Sequence, residues 1–216
     1  MPRLRQVPRA EADEEITAMY DRLFGDRDPV AEPGTATGTP GNWWTVFAIV
    51  PDIFKHAQAG FGVLSGKRRK LQPRFRELGL TRAGYLGESQ FVYSQHSKAA
   101  RAAGLSDDEV AAIPSWQTSE LFDAKDRAVL SYTDCLTLGR GRVPDDTFAA
   151  LKSHFSDEEI LEMTYATTTY ALHATICRAL RLEYDDVPER IVEIPIPEAG
   201  SGPVDVMADI SRADRD

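Results

Sequence analysis

Features that would point to a membrane, secreted or nucleic-acid-binding protein are absent from this 216-residue sequence. The longest apolar stretch, around Trp43 to Val50, is far shorter than the roughly 20 residues that a membrane span needs. The N-terminal segment MPRLRQVPRAEADEE has no apolar core of the kind found in secretory signals. Because 34 acidic residues outnumber 25 basic ones, the net charge of −9 disfavours binding to nucleic acids and anionic membranes. We therefore expect neither as a partner.

Cysteine is scarce, and common catalytic motifs are missing. Cys135 and Cys177 lie far apart and form no CxxC pair. We therefore expect no disulfide framework, no metal site and no metal cofactor, and a reducing cytoplasm is the default location. The sequence also has no glycine-rich phosphate loop, HExxH motif or nucleophile elbow. A function has to be inferred from individual polar residues.

Period-two alternation is also absent, whereas helical periodicity dominates, so the sequence predicts an all-α fold. The first helix is expected over about residues 10–24, with an apolar stripe of Ile16, Met19, Tyr20 and Phe24. Residues 25–42 are rich in Gly, Pro and Thr, which predicts a flexible loop whose role as a lid is open.

Further helices are predicted from their start and stop signals. Asn42 is expected to cap a short aromatic helix, Pro51 to open the next one, and Gly87 to end a helix that begins at Pro73. Capping boxes at Ser106 and Ser156 precede further helical segments, and another helix is expected over about residues 120–138. The helix after Ser156 is apolar on more than one face, which predicts burial. We predict three parts: an N-terminal helix and loop (1–41), a helical domain (42–187) and an extended tail (188–216).

His96 is the first candidate for a catalytic residue. It shares a helix face with Ser89, Val92 and Tyr93. A buried neutral histidine in the core is the structural alternative to a functional one. Glu77 on the preceding helix either forms a solvent-exposed pair with Arg74 or turns inward and orients His96, and the sequence leaves both open.

A second polar set lies on the long final helix. Thr169, Tyr170, His173 and Cys177 can share a face because they are spaced by three and four residues. Threonines in a helix often bond to their own backbone, but a buried Tyr–His pair needs other partners. A polar pocket shared with His96 is therefore plausible.

Residues 74–113 resemble the carboxymuconolactone decarboxylase and alkylhydroperoxidase D family, and the similarity lies in the stretch RELGLTRAGYLGESQFVYSQHSKAARAAGLSDDEVAAI. The upstream PDIFKHAQAGFGVL and the later FSDEEILEMTYATTTYALHATICRAL extend the resemblance over about residues 42–182, as in longer, two-repeat members. It implies the helical bundle of that family, with the family's histidine at His96 and its glutamate partner at Glu77. In the peroxidase branch, two cysteines stand where this chain has Ser89 and Val92, so thiol peroxidase chemistry is disfavoured.

The resemblance implies a cofactor-independent enzyme that uses acid–base chemistry on a small carboxylated lactone or enone. His96 would donate or shuttle a proton, Glu77 would orient it, and Tyr93, Tyr170 or His173 would hold a substrate oxygen. Residues expected to line the substrate site are Ser89, Val92, Thr169, Tyr170 and His173. The alternatives are another proton-transfer lyase or isomerase, and a non-catalytic ligand-binding relative. The family also implies a homo-oligomer, either a dimer, a trimer or a hexamer.

Overall fold

The computed structural model describes residues 1–64, 66 and 68–183. Over this part of the chain it contains helices and irregular connections but no strand, which confirms the all-α prediction. The α-helices are α1 (Glu14–Phe24), α2 (Asn42–Phe47), α3 (Pro51–Leu64), α4 (Pro73–Leu86), α5 (Gln90–Ala102), α6 (Asp107–Ala112), α7 (Ala124–Thr137), α8 (Asp145–Lys152) and α9 (Asp157–Leu180), with 3₁₀ helices at Arg9–Glu11 and Ile113–Thr118. None of these helices combines the length and apolar composition of a membrane-crossing segment. The predicted tail, 188–216, lies outside the described residues.

Side-chain caps set the start of most of the longer helices. Ser106 and Ser156 each form a complete capping box with the glutamate three residues later, as predicted. Asp13 caps α1 and Asp123 caps α7, so both helices start about four residues later than the apolar pattern suggested. The predicted stripe of α1 is confirmed, because all four of its apolar residues are buried.

The prediction that Asn42 caps α2 is wrong. Gly41, in a left-handed conformation at φ 84°, occupies the cap position and forms no side-chain cap. The side chain of Asn42 instead accepts a 2.7 Å hydrogen bond from the backbone nitrogen of Glu183. In return, the carboxylate of Glu183 accepts hydrogen bonds from the backbone nitrogens of Gly41 (3.0 Å) and Trp43 (2.8 Å). The start of α2 is therefore capped by a residue about 140 positions away.

Two hydrophobic clusters build the core. One joins α4, α6, α7, α8 and the first half of α9, and includes Leu78, Val129 and Met163. The other joins α1, α2, α3 and the end of α9, and includes Tyr20 and Trp43. Residues 1–41 thus pack as part of the same helical body as the residues that follow them.

Helix α4 lies at the centre and packs against α5, α7 and α9. Its closest approach to α5 is at Gly84, where an added Cβ would lie 2.8 Å from the backbone nitrogen of Tyr93 and 2.9 Å from Cγ1 of Val92. A side chain at this position would push the two helices apart. Glycine therefore sets the spacing of the helices that carry Glu77 and His96.

Helix α9 is buried on one side and exposed on the other. Ile160, Met163, Ala166, His173 and Cys177 are buried, as expected. The burial predicted for this helix is wrong at three apolar residues, because Leu161, Tyr165 and Leu172 are 70%, 47% and 57% exposed. These three residues recur at spacings of four and seven, so they form one apolar stripe on the surface.

Candidate functional site

The centre of the candidate site is a hydrogen-bonded pair formed by His96 on α5 and Glu77 on α4. Nδ1 of His96 lies 2.7 Å from Oε2 of Glu77, and both residues are buried. Of the two orientations that the sequence left open for Glu77, the inward one is observed. Arg74 is not its partner, since Arg74 bonds to Glu109 and Asp126.

Arg76 holds the other carboxylate oxygen of Glu77. Its Nε donates a 2.7 Å hydrogen bond to Oε1 of Glu77, and its Nη1 bonds to the backbone oxygen of Leu64 at 2.9 Å. Burial alone would raise the pKa of the Glu77 carboxyl. The hydrogen bonds and charges of His96 and then Arg76 outweigh burial, so this pKa lies below its ordinary value.

The protonation of the pair follows from these contacts. Because Glu77 is ionised, its oxygen accepts and Nδ1 of His96 donates. The remaining ring nitrogen, Nε2, is then the one that can exchange a proton with a ligand. The hydrogen bond to Glu77 thus fixes both the tautomer and the orientation of His96.

His96 lines a cavity of about 350 Å³ between α1, the 25–41 loop, α2, α3, α5 and α9. The wall consists of the aromatic residues Trp44, Phe61, Phe91 and Tyr170, the apolar residues Leu23, Ala36 and Val92, and the polar residues Arg22, Thr35, Thr37, Thr39, Gln95, His96 and His173. The lining therefore combines aromatic and apolar side chains with polar groups, as in many small-molecule sites.

Tyr170 and His173 on α9 complete this wall, so the two predicted polar sets do meet. The ring of Tyr170 lies edge-on to His96, with centroids 4.2 Å apart. Burial, and then the charge of Glu77, raises the pKa of the Tyr170 hydroxyl, which therefore stays protonated and can donate. His173 lies among Trp43, Phe47 and Phe61.

Three residues expected at the site lie outside the cavity lining. Tyr93 is buried beside Tyr85, with ring centroids 5.9 Å apart. The hydroxyl of Ser89 accepts from the backbone nitrogen of Val92 at 3.4 Å and caps α5. Thr169 contributes its backbone oxygen, which bonds to Nδ1 of His173. Of the two positions where cysteines occur in the peroxidase branch, the one occupied by Val92 lines the cavity.

Other cavity residues were missed from the sequence. Gln95 was not among the residues expected at the site, yet it lines the cavity and its Nε2 is buried without a partner among the described residues. The 25–41 loop forms part of the wall, where Thr35 and Thr39 bond to each other and Lys98 bonds to the backbone of Thr37. Composition gave no signal that this loop would fold onto the site.

The described residues contain no group of three or more His, Cys, Asp or Glu side chains arranged to hold a metal ion. Both cysteines are free thiols. Burial, and to a lesser degree the charge of Glu183, raises the pKa of Cys177 to about 12, which disfavours the thiolate. Burial and the charge of Asp134 raise the pKa of Cys135 as well.

Part of the chain matches a known protein family. Residues 51–134, which include both Glu77 and His96, match the model of the carboxymuconolactone decarboxylase family. Over this segment the chain is similar to the carboxymuconolactone decarboxylase family. The family match supports a related enzymatic activity, decarboxylase-like or peroxidase-like.

Three relatives illustrate the similarity. The uncharacterized protein YnjA of Escherichia coli (strain K12) is 29% identical over 127 residues, which cover 58% of this chain and 68% of that protein. A protein of unknown function from Agrobacterium tumefaciens, proposed to be the antioxidant defence protein AhpD, is 28% identical with a TM-score of 0.58, covering 68% of this chain and 96% of that one. The AhpD core of an uncharacterized peroxidase-related protein from Ralstonia eutropha JMP134 is 18% identical with a TM-score of 0.64, covering 84% of this chain and 90% of that one. At this identity the similarity supports the fold alone.

Proposed function

We propose that this chain is an acid–base enzyme that decarboxylates a small, unsaturated carboxylated lactone or enone without a redox step. The observation that carries this proposal is the 2.7 Å bond between His96 and Glu77 at the wall of an aromatic cavity. Ser89 and Val92 support the proposal further. They stand where the peroxidase branch has its two cysteines, and neither side chain can form a disulfide.

The proposed reaction uses the cavity in two ways. The aromatic wall removes water from the substrate carboxylate, which favours breaking of the bond between the carboxyl carbon and its neighbour. The electron pair of that bond enters the conjugated system and forms a dienolate, while carbon dioxide leaves. The hydroxyl of Tyr170 donates a hydrogen bond to the dienolate oxygen.

His96 completes the reaction by proton transfer. The doubly protonated ring donates the proton on Nε2 to carbon, and the neutral ring that remains takes a new proton from water. Glu77 stabilises the charged ring, and Arg76 keeps Glu77 ionised and in place. Exposed Arg22 adds positive charge to the cavity lining, which favours the approach of an anionic substrate.

The experiment is a screen of unsaturated lactone and enone acids labelled with ¹³C at the carboxyl carbon. Release of labelled carbon dioxide by the wild-type protein, and its loss in His96→Gln, supports the proposal. A rearranged product that keeps the label assigns another lyase or isomerase activity instead. Binding without turnover across the screen would favour a ligand-binding protein, and reduction of organic hydroperoxides with a dithiol would contradict the non-redox assignment.

We also propose that the chain forms a homo-oligomer in the cytoplasm. Support for assembly comes from the exposed apolar stripe of Leu161, Tyr165 and Leu172 on α9, because such stripes often mark interfaces between protein subunits. Light scattering coupled to size-exclusion chromatography should give a mass above that of one chain. Leu161→Lys should reduce this mass if the stripe is the interface, and an unchanged mass would contradict it.

A further inference from the structure

The hydrogen bond at His173 fixes which of its ring nitrogens carries the proton. Nδ1 of His173 lies 3.2 Å from the backbone oxygen of Thr169. Since a carbonyl oxygen can only accept, Nδ1 is the nitrogen that holds hydrogen. Burial, together with the charge of His96, lowers the pKa of the ring despite the opposing Thr169 carbonyl, so the ring is neutral. A neutral ring protonated at Nδ1 carries a lone pair at Nε2.

No described residue donates a hydrogen bond to this lone pair. Nε2 of His173 is buried and has no partner among the residues that the structure describes. The neighbouring rings of Trp43, Phe47 and Phe61 lie at centroid distances of 5.8, 6.3 and 4.6 Å. Proteins pair nearly all buried polar atoms, so an unpaired acceptor in a cavity wall is unusual and costly.

We propose that His173 accepts a hydrogen bond from the ligand, which makes the ligand a small molecule that carries a hydroxyl or N–H donor group. The inference rests on the proposed function only in treating this cavity as the substrate site. It also changes the role expected for His173. A lone pair repels a substrate oxygen anion, so His173 orients a donor group, and stabilisation of the oxygen is left to Tyr170.

Phe61 is an aromatic neighbour of His173, with ring centroids 4.6 Å apart and an interplanar angle of 63°. Because Nε2 is buried, a ligand reaches it only after a neighbouring ring moves, and we expect Phe61 to be that ring. Phe61 stands between Gly60 and Gly62 in α3, and an added Cβ at either glycine would meet no atom within 4 Å. Glycine lowers the stability of a helix interior. We therefore expect α3 to be flexible at Phe61, which lets its ring move.

Two isomeric probes test the proposal. 4-Ethylphenol and 4-methylanisole have the same composition and nearly the same shape, but only the phenol can donate a hydrogen bond. In wild-type protein at pH 7, calorimetric or NMR titration should show that the phenol binds about fivefold more tightly, the effect of one hydrogen bond. His173→Phe should abolish this difference, whereas His56→Gln, at an exposed histidine outside the cavity lining, should keep it.

The outcomes separate this proposal from the proposed function, since the probes are unreactive and no turnover is needed. Equal binding of the two probes to the wild type would overturn the role of His173, as would a preference that survives His173→Phe. A measurement on the wild type covers the case in which the variant does not fold. In ¹⁵N-labelled protein, the Nε2 signal of His173 should show the unprotonated form and should shift with 4-ethylphenol but not with 4-methylanisole. A protonated Nε2 would overturn the assignment.

Discussion

Nδ1 of His96 donates a 2.7 Å hydrogen bond to Oε2 of Glu77, across two helices that pack directly on each other at Gly84. This bond depends on the distance between α4 and α5. The spacing is set by a residue that touches neither partner. The site can therefore be perturbed through the packing of the helices as well as through its own side chains.

Gly84→Ala should separate the two helices. The added methyl group would meet the backbone of Tyr93, which cannot give way as a side chain could, so we expect a loss of about 1–3 kcal/mol in the free energy of unfolding. Gly60→Ala is the matched control, because that position is open and alanine should stabilise α3 by about 0.5–1 kcal/mol. Urea unfolding measures both. Similar effects of the two substitutions would show that Gly84 does not set the helix spacing.

Arg76→Met should weaken the site without removing either member of the pair. Glu77 would lose one of its two charged partners, and the 2.9 Å bond to the backbone of Leu64 would also be lost. We expect a loss of about 1–3 kcal/mol in stability, because a buried carboxylate is left partly unpaired. Arg68→Met is the control at an exposed arginine and should stay within about 0.5 kcal/mol. If both variants unfold at the same urea concentration, Arg76 does not support Glu77.

Glu183→Ala should destabilise the start of α2. Its carboxylate accepts hydrogen bonds from the backbone nitrogens of Gly41 and Trp43, so their loss should cost about 1–2 kcal/mol of stability. Glu120→Ala, at an exposed glutamate, is the control. The change should appear as a lower unfolding midpoint and as faster hydrogen exchange at the amide of Trp43. An unaltered exchange rate at that amide would argue against the cap.

Acid should destabilise the protein through His173. The pKa of His173 in the folded protein is lowered mainly by burial, whereas in the unfolded chain an imidazole has a pKa of about 6.5. As the pH falls below that value, the unfolded chain binds a proton that the folded chain does not, so stability decreases. The free energy of unfolding should therefore fall less steeply between pH 7 and the folded pKa in His173→Phe than in the wild type. Parallel curves would contradict this.

The sequence predicts the fold better than the details of its contacts. Capping boxes at Ser106 and Ser156 use neighbouring residues, so they can be recognised locally, and both are present. The cap of α2 could not be predicted because it comes from Glu183, which local patterns do not connect to residue 41. The same reason explains the error at Asn42.

The candidate site was predicted in part. The positions of His96, Tyr170 and His173 on apolar helix faces indicated that they point inward, and all three line one cavity. Helix periodicity did not indicate Gln95, because a long side chain at the edge of a face can still reach the cavity. Periodicity also predicted that Tyr93 would lie at the site. Its side chain faces inward but packs beside Tyr85, outside the cavity lining. The orientation of Glu77 depends on the distance between α4 and α5, which periodicity does not contain.

The most direct test of the account is the rate of labelled carbon dioxide release by His96→Gln, measured on the acid that the wild type turns over fastest. If His96 transfers the proton, kcat should fall by about 10²- to 10⁴-fold. His56→Gln changes an exposed histidine in the same way and should leave kcat unchanged. A His96→Gln protein that is folded and as active as the wild type would contradict the central claim.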